Sequence, residues 1–296
     1  MSIPRATVVV IVLDGERFLD EAIESVVSQS MVDWELFIVD DGSRDRTAEI
    51  AERHAGRDSR IGLLAHPRRA NRGMSASRNL GLRAARGEYV VFLDHDDAFE
   101  PEKLERLATL LEATSDAMAA LGPNLRWRSW SGAAGDCDLV QDLGVEPGLL
   151  APPGLIPKFL SRPDATPLGP MVRRKAALQL GGYDEAFRSM YEDQAFLSRL
   201  MLRMPVVATD EVLHRYRLHE DSCVARAHRS GRRLAARRRF LHWLRGEARQ
   251  VSDELASQLA PVIELELEAT RGWALRLAQR TMINLAARIR GSGPRT

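Results

Sequence analysis

Four stretches of the chain are apolar on both faces: Thr7-Val8-Val9-Val10-Ile11-Val12-Leu13, Leu36-Phe37-Ile38-Val39, the shorter Ile61-Gly62-Leu63-Leu64, and Tyr89-Val90-Val91-Phe92-Leu93 after Glu88. Runs without the in–out alternation of a half-exposed strand read as parallel strands covered by helices on either side. Between them the period lengthens. Phe18, Leu19, Ala22, Ile23, Val26 and Val27 fall at helical spacing, a second helix is predicted from about Asp45, and a third from about Ser75 to Ala85. A fourth begins at Pro101, a residue suited to a first helical turn, with Leu104, Leu107, Ala108 and Leu111 on one face. Strands alternating with helices in this way predict a mostly parallel, Rossmann-like α/β sheet with flanking helices.

Two of these strands run out into carboxylates. Leu36–Val39 ends in Asp40-Asp41-Gly42-Ser43, and Glu88–Leu93 ends in Asp94-His95-Asp96-Asp97. Clustered carboxylates repel unless something positive sits among them, most simply a divalent metal, which would in turn hold a diphosphate. An acidic turn capping the next helix explains the second cluster equally well when it is taken alone. Two acidic turns at two strand ends favour the ligand, because in open parallel sheets ligands lie beyond the carboxyl ends of the strands.

These turns, with Gly15–Leu19, Ser25–Gln29, Asn71-Arg72-Gly73-Met74-Ser75-Ala76-Ser77-Arg78-Asn79, Gly181–Phe187, Tyr191-Glu192-Asp193 and Tyr216-Arg217-Leu218-His219, resemble in their order the signature of glycosyltransferase family 2, over roughly residues 5 to 225. The resemblance implies a GT-A fold and an inverting sugar transfer from a nucleotide-diphospho-sugar, with Mn²⁺ or Mg²⁺ as cofactor and a glycan or lipid-linked acceptor. It gives Asp41 the nucleotide base edge, Gly42 a close approach of the nucleotide, Asp94 the ribose hydroxyls and Arg78 the diphosphate or base side. Asp96 would ligate the metal, Asp97 would stand in its first or second shell, and His219 would reach back to it. Leu13, Asp14, Glu16, Asn71, Gly73 and His95 would complete the nucleotide-sugar site. Asp193 would be the general base and Glu192 would position the acceptor. Where the family carries Pro-x-Tyr-Asn at the end of strand one, this chain has Ile11-Val12-Leu13-Asp14, so a leucine replaces a ring that stacks on the base.

The resemblance divides the chain into a GT-A domain over residues 1–225, with a nucleotide-sugar half to about 115 and an acceptor half from about 116, and a helical region over 226–296. Between Trp127 and Pro170 the alternation fades into glycines and prolines, a loop-rich stretch of the sort that shapes acceptor sites, where Trp127 or Trp130 offers a ring to a sugar. Beyond Ala225, Arg229, Arg232, Arg233, Arg237, Arg238, Arg239, Arg245 and Arg249 surround Leu234, Phe240, Leu241, Trp243 and Leu244. A stripe of Trp273, Leu277, Met282, Leu285 and Ile289 then opposes Arg276, Arg280, Asn284 and Arg288. Such helices pack on a neighbouring domain or a second copy, or lie on an anionic membrane.

Composition narrows the class. A 296-residue chain that is 45% hydrophobic can bury a large core, and a formal charge of +1 provides no field to attract nucleic acid. Of 42 basic residues, Lys103, Lys158 and Lys175 are the lysines, which leaves 39 arginines. Cys137 and Cys223 are too few for a disulfide framework, and the first apolar run breaks at Asp14, too early for a signal peptide or a membrane span. The expectation is a cytoplasmic enzyme, peripheral on the inner membrane face if the C-terminal helices lie on lipid. A sugar-phosphate nucleotidyltransferase is the competing enzyme, but Gly15-Glu16-Arg17 is a poor phosphate loop; a non-catalytic nucleotide-sugar-binding protein is the other alternative, against which the retained Asp94, Asp96 and Asp193 count.

Overall fold

The computed structural model describes residues 3–162, 166–188, 190–229 and 232–290, with side chains to 271 except at 228. The elements run β1 (Ala6–Val12), α1 (Leu19–Val27), β2 (Trp34–Asp40), α2 (Thr47–Ala55), β3 (Ile61–Ala65), α3 (Met74–Ala84), β4 (Tyr89–Asp94), β5 (Ala98–Phe99), α4 (Lys103–Ala113), β6 (Ala119–Leu121), β7 (Asn124–Trp127), β8 (Leu139–Gln141), β9 (Gly148–Leu150), α5 (Ile156–Ser161), β10 (Met171–Arg173), α6 (Arg174–Gln179), α7 (Glu192–Met201), β11 (Val206–Ala208), β12 (His214–Arg217), α8 (Cys223–Arg229), α9 (Arg233–Val251) and α10 (Asp253–Arg290). They form two compact units, Met1–Arg226 and Ala227–Thr296.

In the first unit an eight-stranded sheet has the order β3-β2-β1-β4-β10-β6-β11-β9, parallel from β3 through β4 and mixed beyond it. One sheet crosses the expected boundary near residue 115, since β4 pairs with β10. β1 is buried along its whole length, as its unbroken apolar sequence requires. Its register sets Val12 beside Asp40 and Ile11 beside Asp94, so the acidic ends of β2 and β4 emerge side by side. On one face α1 and α4 pack Leu19, Ile23, Leu104, Leu107 and Leu111 onto Val8, Val10, Leu36 and Ile38. α3 carries small residues toward the sheet and lies close to it: a Cβ at Gly81 would stand 2.3 Å from the Val9 side chain.

Two expectations shift. α4 begins at Lys103, and Pro101 instead offers its carbonyl to the Ser30 N–H at 2.8 Å. The loop-rich stretch contains β8, β9 and α5; β5, β12, β7 and β8 make a second, four-stranded sheet. Pro163 lies outside the described residues.

In the second unit α9 buries Phe240, Leu241, Leu244 and Ala248, while α10 buries Leu259, Ile263 and Leu267. Arg237 and Arg245 pair with Glu266 and Glu264 at 2.8 and 2.7 Å. The stripe from Trp273 to Ile289 and its facing Arg276, Arg280, Asn284 and Arg288 lie outside the residues whose side chains are described. Among the described residues no helix is long and apolar enough to cross a membrane.

Candidate active site

The loop after β1 is stitched to the loop after β2. Ser43 Oγ and Thr47 Oγ1 accept from the Asp14 and Gly15 N–H groups at 2.9 and 2.8 Å, and Asp14 Oδ1 accepts from the Arg44 N–H at 2.8 Å. Glu16 accepts from the Arg46 N–H at 3.2 Å. Asp14 and Glu16, expected at the nucleotide, therefore brace these loops. Leu13 is 40% exposed at the end of β1.

Asp41 is buried and caps no helix. Its two oxygens accept from the Arg72 and Gly73 N–H groups at 2.7 and 2.9 Å, clamping the loop that enters α3. Gly42 has φ +91°, and a Cβ there would lie 2.5 Å from the Arg69 carbonyl oxygen. The close approach that the structure shows at Gly42 is to the chain's own loop at Arg69–Asn71. Gly42→Ala should cost about 1–3 kcal/mol of unfolding free energy in urea titrations, the usual cost of a residue held in an unfavoured conformation; parent-like stability would show that the loop yields freely. Asn71 is exposed and its carbonyl accepts from Arg188 at 3.3 Å.

Arg78 differs most from expectation. Only 2% exposed, it is the cation around which three acids gather: Asp94 at 2.7 Å, Glu192 at 3.3 Å and Asp193 at 3.4 Å. Its guanidinium also lies over the Tyr183 ring, 5.2 Å from the centroid. The small-residue face of α3 admits the helix close to the sheet and carries Arg78 inward, where it meets these acids. Glu192 and Asp193 occupy the first turn of α7, entered through Tyr191 at φ 64°. Burial raises the Glu192 carboxyl, with Arg78 opposing. Burial likewise pushes Asp193 up to about 7, against Arg78 and reinforced by Glu192 and Asp94. Asp94 and Asp193 line a small cavity open to solvent, walled also by Phe92, Asp97, Tyr183 and His214.

Within the acidic turn the other side chains diverge. Asp96 Oδ2 meets His219 Nε2 at 2.9 Å; burial alone would raise this carboxyl, but that bond and the charges of His95 and His219 bring it below its ordinary value. The His95 ring lies against the β1 loop, where a Cβ on Gly15 would come within 2.6 Å of it. Asp97 is buried, with Oδ1 accepting from the Arg217 N–H at 2.9 Å and Oδ2 facing His214 Nε2 at 3.0 Å. Each oxygen already has one partner, so Asp97 supports the turn from within the chain. Arg217 Nε donates to the Asp96 carbonyl at 2.7 Å, and its guanidinium lies 4.1 and 5.1 Å from the Trp127 and Trp130 ring centroids. Those rings, expected to stack on a sugar, hold an arginine.

Among the described residues no three His, Cys, Asp or Glu groups converge as a metal cage. Asp96 and His219 do stand together, and His219 Nδ1 is buried without a partner among the described residues. A carboxylate and an imidazole suit Mn²⁺ or Mg²⁺ when phosphate oxygens and water complete the shell. The buried Lys103, His214, Arg217 and Tyr183 escaped the sequence reading. The one signal was that Lys103 is a lysine in a chain that places its positive charge almost entirely on arginine.

The family model for glycosyl transferase family 2 matches residues 7–126. Residues 7–126 belong to that family. The family 2 domain is 41% identical over 105 residues to a glycosyltransferase of Bacillus subtilis, EpsJ, a match spanning 36% of this chain and 30% of that protein. The fold is similar to Staphylococcus aureus TarS 1–349 in complex with UDP-GlcNAc, with a TM-score of 0.68 at 18% identity over 87% of this chain and 72% of that one. It is also similar to the mannosyltransferase PcManGT of Pyrobaculum calidifontis in complex with GDP-Man and Mn²⁺, with a TM-score of 0.57 at 17% identity over 95% and 81%. The family 2 domain thus lies within a GT-A fold, as the sequence predicted.

Proposed function

We propose that this protein transfers a sugar from a nucleotide-diphospho-sugar to an acceptor hydroxyl of a glycan or lipid-linked glycan, with inversion at the anomeric carbon. The observation that carries the reading is the convergence of Asp94, Glu192 and Asp193 on Arg78 at a cavity beyond the carboxyl ends of the parallel strands. Inversion needs a base opposite the leaving group, and a carboxyl at about 7 is matched to taking a proton near neutral pH. Asp193 takes the hydroxyl proton, Glu192 and Arg78 hold Asp193 in place, and Asp94 faces the sugar nucleotide. Asp96 and His219 would hold a divalent cation, which when bound neutralises charge on the leaving diphosphate. The donors named for TarS and PcManGT, UDP-GlcNAc and GDP-Man, make uridine and guanosine diphosphate sugars the first to try.

The test is calorimetric titration of UDP and GDP with and without Mn²⁺. Asp96→Ala should abolish the metal-dependent part of nucleotide affinity and leave the melting temperature near the parent's, because the side chain lies at a strand end outside the core. Undiminished metal-dependent affinity in the folded variant would remove Asp96 from the site.

A further inference from the structure

Behind the acidic turn runs a line of buried polar groups that the proposed reaction does not use. Lys103 Nζ lies 3.2 Å from His214 Nδ1, and His214 Nε2 lies 3.0 Å from Asp97 Oδ2. All three residues are buried, joining the start of α4, strand β12 and the turn after β4. With Lys103 donating to Nδ1, a neutral imidazole carries its own proton on Nε2 and donates it to Asp97. In that tautomer donation runs from lysine through histidine to carboxylate. Asp97 then accepts twice, from His214 and from the Arg217 N–H. Arg217 in turn holds the Asp96 carbonyl, two residues before His219.

We propose that Lys103 and His214 are positioning residues which, by fixing Asp97 against Arg217, set the spacing between the Asp96 carboxylate and the His219 imidazole. Lys103 stands back from the cavity, and His214 and Asp97 reach its wall from behind the acidic turn. The identity of Lys103 supports the role: a slim amine ends over the Phe99 ring, 4.6 Å from its centroid, in the buried corner where that ring meets the His214 ring. A guanidinium there would present a planar fork of five donors to a single ring nitrogen, and the rest would be buried without partners. Outer partners of this sort orient the groups that hold a metal, and their loss typically costs 10–100-fold in metal affinity.

The inference rests on the proposed Asp96–His219 site, so its test has an arm that needs no metal. In ¹⁵N-histidine NMR of the full-length protein, the parent should show His214 protonated at Nε2. Lys103→Met should move the His219 ring nitrogens as well as those of His214, although His219 is no neighbour of Lys103. In the second arm, free Mn²⁺ is measured by electron paramagnetic resonance. Lys103→Met and His214→Phe should weaken Mn²⁺ binding by about 10–100-fold. His214→Gln, whose amide can accept from lysine and donate to Asp97, should stay closer to the parent than to the phenylalanine variant, and thermal melting confirms that each variant compared is folded. His219 signals unmoved in Lys103→Met would overturn the inference, as would Mn²⁺ affinity lost equally in His214→Gln and His214→Phe. A parent that binds no Mn²⁺ while His219 still responds to Lys103→Met would overturn the metal reading and leave the positioning intact.

Discussion

Replacing Asp193 by asparagine is expected to lower turnover by about 10²–10⁴ while nucleotide affinity survives, the usual share of a general base in a rate. Asparagine keeps the size and an oxygen for Arg78, which lies 3.4 Å from the carboxylate, but it cannot take a proton from an attacking hydroxyl. The pH profile sharpens the test. Because the Asp193 carboxyl is pushed up to about 7, the parent should lose kcat/KM as pH falls below that value, and the variant's residual activity should lack this limb. The same shift has the opposite sense for stability. The fold holds this proton more tightly than the unfolded chain does, so from this group alone stability is greatest below the ordinary 3.8 and declines as pH rises to about 7. Near-native turnover in the variant would pass the base role to Glu192, and lost nucleotide affinity would move Asp193 into the donor site.

Arg78→Leu should be the most damaging single change to stability, at about 3–5 kcal/mol in urea unfolding, because removing one member of a buried ionic group leaves the others uncompensated. Leucine fills part of the volume but leaves Glu192 buried beside Asp94 and Asp193 with no cation between them. The loss should shrink in acid, where the carboxyls protonate and no longer need the arginine. Lysine should rescue only part of it, since one ammonium cannot reach three carboxylates that a planar fork spans. A loss below about 1 kcal/mol, the worth of an exposed pair, would show that the group is solvated.

β1, β2 and β4 could be read from the sequence because parallel strands buried on both faces leave unbroken apolar runs, and the acids that follow them mark the strand ends. The second sheet could not. β12 is His214-Arg215-Tyr216-Arg217, a strand with no apolar alternation whose charged side chains are satisfied by Glu100, Asp97 and Glu21. No local rule anticipates partners that lie more than a hundred residues away. Distance also hid the surroundings of Arg78: a helix arginine is visible in the sequence, and Asp94 is near it in the chain, but Glu192 and Asp193 come from α7, more than a hundred residues on. Asp41 and Gly42 were found for their position, but their contacts with the Arg69–Gly73 loop were not legible, since loop meets loop only in three dimensions.

Arg217 ties Glu21, Asp96 and Asp97 together from the far end of the first unit. A ribosome that has delivered β1 through β4 and the turn after it has therefore made the parallel strands and both acidic turns without the residue that locks the second turn in place, and His219 follows two positions later still. The half-made chain can begin to fold but cannot yet hold its acidic turn in working order, so the chemistry is withheld until nearly all of the first unit has been translated.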